Sequence, residues 1–293
     1  MFNATRFKTL MLREWLQNRW TWLIAVGSLP TLVLLITPFG QVSLPKDLPV
    51  TLVGTADVCV TALLAVTFAW LTTLFTASGL ARRDVQDRSI EFWLSLPSTH
   101  GEHVGAQYLM HGLLFPLGAL ALGLALGFML VPLLLVKWQG LAALGNVDWG
   151  LLFGRVGLQA GLGVVGLVLT ALWMAPLVFV IMAASAWVKR LALPLLIVVG
   201  VLLANLPASA AAFRAFMMTW QSLGGAVVDG SVRVFATLNV PGGKVDGDSF
   251  QPMLPVEFLT ESAKDLASPQ FALGLLLSAV AIYLLIVKRR SNG

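Results

Sequence analysis

Residues Tyr108 to Val136 read YLMHGLLFPLGALALGLALGFMLVPLLLV and contain no Asp, Glu, Lys or Arg. A helix rises about 1.5 Å per residue, so about 20 apolar residues cross the roughly 30 Å hydrocarbon core of a bilayer. This stretch is therefore predicted to be a membrane-spanning helix. It is longer than one crossing requires, which indicates a tilt or an interfacial turn.

The composition of the whole chain agrees with this stretch. Of the 293 residues, 58% are hydrophobic and 11% are charged, a balance too apolar for a soluble domain. The sequence predicts an all-α polytopic membrane protein that forms one transmembrane domain over residues 1–293. Its other predicted spans are Trp20–Phe39, Ala56–Ala81, Leu151–Trp187, Leu191–Leu206 and Phe271–Val287.

The basic residues predict the orientation of the six spans. Short cytoplasmic loops retain an excess of Lys and Arg, and 12 of the 19 basic residues lie in one set of loops. Both termini are therefore expected in the cytoplasm. The basic residues of this set are Arg6, Lys8, Arg13, Arg19, Arg82, Arg83, Arg88, Lys189, Arg190, Lys288, Arg289 and Arg290.

Residues 1–19 are predicted to form an amphipathic helix in the headgroup layer, ahead of an uncleaved first span. A plain polar leader to that span is the alternative. The helical spacing of the apolar residues supports the first interpretation. The apolar side is Phe7, Leu10, Met11 and Trp15, and the polar side is Arg6, Arg13, Glu14 and Gln17.

A glycine pattern in the fourth span does not indicate a nucleotide-binding turn. Gly161, Gly163 and Gly166 match G-x-G-x-x-G, but dinucleotide sites need this pattern between a strand and a helix. Glycines three or four residues apart favour close helix packing in lipid. This spacing predicts a packed face formed by Gly150, Gly154, Gly157 and Gly161.

No phosphate loop or metal motif is recognisable. Lys244 follows a glycine, but Leu238 occupies the position of the first glycine of a phosphate loop, so no ATP is expected to bind there. His100 and His103 lack the H-E-x-x-H spacing of zinc sites. Thr99 and Glu102 instead predict a capping box at the start of the third span. We predict no catalytic residue, metal or cofactor in this chain.

Ionisable residues within the spans indicate whether an ion gradient could supply the energy for transport. Ion-coupled carriers keep ionisable groups near the bilayer midplane. In the sequence we identify Asp57 as the one such group, and its place near the outer end of the second span favours an interfacial role. If the chain moves a substrate, we therefore expect a partner to supply the energy.

The loop after the second span, residues 82–106, carries the strongest functional signal. Asp87 is expected to cap a short helix with Ile90, Trp93 and Leu94 on one face, and Pro97 ends it. This face either packs on the spans of the same chain or presents Trp93 and Glu91 to a cytoplasmic protein.

Residues 82–109, RRDVQDRSIEFWLSLPSTHGEHVGAQYL, resemble the first cytoplasmic loop of permease subunits of type-2 ABC exporters. The amphipathic leader, the six spans and the basic tail are also similar to that family. The resemblance implies a homodimeric permease in the bacterial inner membrane, driven by a separate ATPase subunit that binds ATP and Mg. It further implies that this partner docks on Arg88, Ile90, Glu91, Trp93 and Leu94 of the loop and on Arg13 and Glu14 of the leader.

The remaining part of the chain, residues 207–270, is predicted to lie outside the cytoplasm and to contain a short interfacial helix and a hairpin. Membrane lipid is an expected partner, an amphipathic or lipid-like compound is the expected substrate, and nucleic acid is not an expected partner. The alternative function is a membrane-embedded enzyme or biogenesis factor that acts on lipid-linked substrates. Polar residues converging at one membrane depth would favour that alternative.

Overall fold

A computed structural model describes residues 4–41, 44–45, 48–86, 99–205, 259–260, 263–264 and 266–291. All regular structure in this part of the chain is helical. The helices are α1 (Ala4–Ile36), α2 (Val50–Gln86), α3 (His100–Leu109), α4 (Phe115–Gln139), α5 (Trp149–Val188), α6 (Ala192–Asn205) and α7 (Pro269–Ser291). A π-helical turn, Met110–Leu114, joins α3 to α4 without a break, and 3-10 turns at Leu141–Asn146 and Lys189–Leu191 flank α5.

Five helices of the described part are long and apolar enough to cross a membrane. They contain the second, third, fourth and last predicted spans, and the first covers Trp20–Phe39 as far as Ile36. Helices are expected here because only a helix satisfies every backbone polar group of a single segment inside lipid. Large apolar side chains point away from the bundle, as at Ile24, which is 68% exposed, and Phe75, which is 70% exposed. An outer surface of this kind is typical of helices surrounded by lipid, so the chain is a multi-pass membrane protein.

The predicted span Leu191–Leu206 corresponds to α6. This helix has 14 residues, which is about 21 Å at 1.5 Å per residue and less than the roughly 30 Å of the bilayer core. Residues 206–258 lie outside the described part of the chain. The structure therefore supports five crossings, and the sixth remains a prediction.

The N-terminal segment is continuous with the first span, so residues 1–19 are not a separate helix where the structure describes them. α1 has 33 residues and passes through Arg19 and Trp20 without a break, because no glycine or proline interrupts it there. Leu10, Glu14 and Trp22 face the bundle along its length. The predicted apolar face of the leader is thus the inner face of one long helix.

Side-chain contacts define the directions of the helices. α1 runs parallel to α3 and α4, since Glu14 lies near His111 and Trp22 lies under Gly118. α2 runs antiparallel to them, and so does α5. As a result, the start of α1, the ends of α2, α5 and α7, and the start of α3 lie at one end of the bundle. We call this the basic end, because Arg6, Lys8, Lys189, Lys288, Arg289 and Arg290 belong to these helix ends.

Two glycines of α4 allow a very close contact between α4 and α2. A Cβ atom at Gly123 would lie 2.6 Å from the Cα of Ala62, and one at Gly127 would lie 2.7 Å from the Cα of Val58. Real side chains do not approach a backbone so closely. The missing side chains therefore let α2 and α4 pack backbone to backbone, the small-residue packing found in membranes.

The predicted glycine face of α5 does not pack in this way. Cβ atoms at Gly154, Gly157 and Gly161 would meet no atom within 4 Å, and one at Gly150 would meet only the carboxylate of Asp148, at 3.4 Å. The prediction of a packed face is wrong for the contacts within this chain. α5 instead buries its opposite side, which carries larger residues such as Leu152 and Val156.

Candidate functional site

The predicted docking loop is held at both ends by the basic end of the bundle. α2 extends to Gln86, and the chain is described again from Thr99. The predicted docking residues Arg88, Ile90, Glu91, Trp93 and Leu94 lie between these points, outside the described residues. The structure therefore describes the two helices that flank the loop, α2 and α3, and not the loop residues that are predicted to contact a partner.

Helix α3, which follows the loop, begins with the predicted capping box, and the structure confirms it. The Thr99 hydroxyl accepts a hydrogen bond from the Glu102 backbone N–H at 3.2 Å, and the Glu102 carboxylate accepts one from the Thr99 N–H at 2.9 Å. This reciprocal pair satisfies two helix-end donors and fixes where α3 begins. Glu102 therefore has a capping role.

A buried network of polar side chains joins α2 and α3, the helices on either side of the loop, to α7. Arg289 of α7 donates from Nη2 to Oε1 of Gln107 at 3.2 Å, and Nε2 of Gln107 donates to the carbonyl of Leu80 at 3.4 Å. Gln107 is 1% exposed and Arg289 is 7% exposed. Hydrogen bonds to a charged group in such surroundings are stronger than those at the surface. The network therefore links α2, α3 and α7 next to the loop.

The turn between α5 and α6 lies at the same end, as its basic residues predicted. Lys189 has a φ of 57°, which is uncommon for a residue other than glycine and produces the sharp reversal. Lys288 of α7 places its Nζ 5.1 Å from the ring centre of Trp187, a cation–π contact. Two more helix ends are thereby connected at the basic end.

The leader residue Glu14 does not face outward as its predicted docking role requires. Its side chain is buried between α1 and the π-helical turn, with Oε2 3.8 Å from Nε2 of His111. Arg13 is half-buried and also interacts within the chain. Docking of a partner on Arg13 and Glu14 remains untested, but in this structure the Glu14 carboxylate contacts its own chain.

Sequence reasoning missed this arrangement, although a signal for it exists. Glu14 lies four residues from both Leu10 and Asn18 and eight from Trp22, which places it on the inner face of a continuous helix. The interpretation of residues 1–19 as a separate interfacial helix assigned Glu14 to the polar side.

A second polar contact lies toward the opposite end of the bundle. The Cys59 thiol donates to Oε1 of Gln159 at 2.7 Å, which joins α2 to α5. Asp57 lies two residues before Cys59 in α2, and its Oδ2 is buried without a hydrogen bond. The prediction that Asp57 is the one ionisable group in the spans is wrong, because Arg155 and His111 also lie within the long helices.

The described residues contain no group of three or more His, Cys, Asp or Glu side chains that could hold a metal ion. An open groove runs between α1 and α4 and is lined mainly by leucines, with Ser28 and Thr31 as its hydroxyl groups. The ionisable residues described above do not line this groove.

Comparison of the chain with protein-family models gave no match, and comparisons with curated proteins and with solved structures gave none either.

Proposed function

We propose that this chain is the permease subunit of an ATP-driven exporter, that it forms the substrate pathway as a homodimer, and that a separate ATPase drives it. The ATPase would bind ATP and Mg and dock on the loop between α2 and α3 through Trp93 and Glu91. The proposal rests first on the resemblance of residues 82–109 to the loop of type-2 ABC permeases.

The contacts at the basic end are the structural observation that best supports this proposal. Force applied to the loop between Gln86 and Thr99 would act directly on α2 and α3. Gln107 and Arg289 would pass it on to α7, and the Lys288–Trp187 contact would pass it to α5. Rigid helices joined by buried contacts are the kind of element through which such coupling travels.

A homodimer fits the outer face of α1. Leu12, Leu16 and Trp20 are each at least half exposed and lie at spacings of four residues. This apolar row continues the lipid-facing surface toward the start of the helix, where Arg6 and Lys8 begin the chain's basic end. A second copy packed against the row would bury it in a helix–helix contact, the kind of packing that joins helices in lipid.

The alternative, an enzyme or biogenesis factor acting on lipid-linked substrates, has less support. Such an enzyme needs polar groups that converge on a space open to its substrate. Cys59 and Gln159 bond to each other, and the open groove between α1 and α4 is lined mainly by apolar residues.

Two loop variants test the proposal. Trp93→Ala removes an aromatic anchor of the kind that commonly contributes about 2 kcal/mol or more to an interface, and Glu91→Lys reverses a charge. Both should reduce copurification of the ATPase, or uncouple its hydrolysis from transport, while the melting temperature of the permease alone stays unchanged. A permease with a lower melting temperature that still binds and couples its ATPase would show that Trp93 packs on its own chain, and the proposal would fail.

A further inference from the structure

The last helix, α7, packs on the bundle with one side only. Residues three or four apart form its buried side: Ser278, Ala281, Leu285 and Arg289. Apolar residues at the same kind of spacing form the opposite side, which we call the outer row: Leu276, Val280, Tyr283 and Val287. Each residue of the outer row is at least 36% exposed. Because α7 is long and apolar enough to cross a membrane, the outer row belongs to the lipid-facing surface of the bundle.

Arg290 continues the outer row at the basic end. It follows Val287 by three residues, which places it on the same face of the helix. Its side chain is exposed and makes no hydrogen bond or ion pair with the described residues. Arg289 differs, because it is buried and donates to Gln107. The outer row therefore ends in a cation that has no anionic partner in the described part of the chain.

The surroundings of Arg290 are basic as well. Its charge acts on the imidazole of His100 at the start of α3, and Lys189 is exposed at the same end of the bundle. Residues 82–98, the loop between α2 and α3, contain three basic and three acidic residues, so their formal charges cancel. Glu102 is engaged in the capping box. The neighbouring segments therefore leave an excess of positive charge around the end of α7.

The depth of Arg290 fits the headgroup layer. Trp187 is 54% exposed, and Nζ of Lys288 lies 5.1 Å from the centre of its ring. An exposed tryptophan beside a lysine is typical of the boundary between the hydrocarbon core and the headgroups. From Leu276 to Val287 the outer row is about 16 Å long at 1.5 Å per residue, close to the roughly 15 Å that one leaflet contributes to the core.

We propose that the outer row and Arg290 bind an anionic phospholipid from the leaflet at the basic end. The acyl chains of this lipid lie along the outer row. Its phosphate accepts hydrogen bonds from the Arg290 guanidinium, whose planar donors match the geometry of phosphate oxygens. Each part of the lipid thus meets a surface of matching chemistry. The site does not depend on the proposed transport function, since it requires only that α7 spans the membrane.

A second copy of the chain fits this face less well than a lipid does. In a two-fold dimer about an axis along the membrane normal, α7 of both copies runs in the same direction, so contact through the outer row would bring Arg290 opposite its own counterpart. Like charges placed together at an interface are unfavourable. A water-soluble acidic protein could reach Arg290, but it could not reach the apolar residues of the outer row inside the hydrocarbon core.

Cross-linking to lipid tests the proposal. A photoreactive amino acid would replace Val280 in the full-length protein, in nanodiscs of anionic phosphatidylglycerol mixed with phosphatidylcholine. Mass spectrometry of the products gives the ratio of the two lipids. At position 280 this ratio should exceed that of the nanodisc, whereas at Phe75, an exposed residue of α2, it should equal it. Arg290→Gln should lower the enrichment at position 280 about fivefold, the effect of one basic side chain near an anionic membrane surface.

A matched variant separates a local site from general attraction to the basic end. Lys8→Gln removes an equal charge from the start of α1 and should leave the enrichment in place. Glycerol 3-phosphate in the buffer, which carries the phosphate without acyl chains, should not lower it. Native mass spectrometry of the protein with Val280 intact should likewise show that Arg290→Gln retains less phosphatidylglycerol. A nanodisc ratio at position 280, equal losses in Lys8→Gln and Arg290→Gln, or products that contain a second copy or another protein would overturn the proposal.

Discussion

Single residues decide which helix faces pack in this protein. Two sets of glycines, in α4 and in α5, have similar spacing in the sequence, yet only Gly123 and Gly127 meet a neighbouring backbone. Spacing identifies a face that permits close approach, but it does not say which helix arrives there. The fold of the whole chain brings α2 to α4 and leaves Gly154, Gly157 and Gly161 of α5 open, so the sequence could not separate the two sets.

A matched pair of alanine variants tests this difference. Gly127→Ala places a methyl group 2.7 Å from the Cα of Val58, so α2 and α4 must move apart. Overpacking of this kind typically costs about 1–3 kcal/mol. Gly157→Ala has open space and should change stability little. Thermal unfolding of both variants in the same nanodisc would check the prediction, and equal melting temperatures would contradict it.

At the scale of elements, long spans were the most predictable part of the fold. The five long apolar helices follow from run length alone, because lipid leaves no alternative to a helix. The start of α3 was also predictable, because Thr99 and Glu102 satisfy each other locally. The continuity of α1 could not be predicted from the sequence alone. It depends on the helices that pack against the inner face of residues 4–19 in the folded bundle.

The packing of the first half of α1 gives a prediction at this scale. Leu10 is 5% exposed and Leu12 is 56% exposed, although they are separated by one residue. Leu10→Ala should lower the free energy of unfolding by about 2–5 kcal/mol, as for other buried leucines. Leu12→Ala should have a small effect on the stability of this chain alone.

Unfolding of the two variants in nanodiscs, in the absence of any partner, measures this difference. If residues 4–19 lay in the headgroup layer away from the bundle, both changes would leave the unfolding transition nearly in place. That result would favour the separate interfacial helix predicted from the sequence.

For the whole molecule, the candidate site was predicted only in part. The position of the loop and the basic residues around it follow from charge and composition. The contacts of Gln107 with Arg289 and of Glu14 with His111 join residues that are far apart in the chain. A single polar residue within an apolar stretch of sequence does not indicate which distant residue it will contact. Such pairings depend on the tertiary arrangement.

The orientation in the membrane can be tested with single cysteines. In a variant that lacks Cys59, cysteines at Ser98 and Ser291 should react with an impermeant thiol reagent only after the cytoplasmic face is opened. A cysteine at Asp246 should react in intact cells. Labelling at Ser98 from outside would reverse the orientation and place the docking loop on the wrong side for an ATPase.

The central claim is that a separate ATPase contacts the loop between α2 and α3. A photoreactive amino acid placed at Trp93 and irradiated in native membranes tests it most directly, with the same group at the lipid-facing Phe75 as the control. Mass spectrometry of the product from position 93 should identify a second polypeptide that carries an ATP-binding phosphate loop, and position 75 should not yield it. Cross-links from position 93 confined to this chain or to lipid would contradict the account.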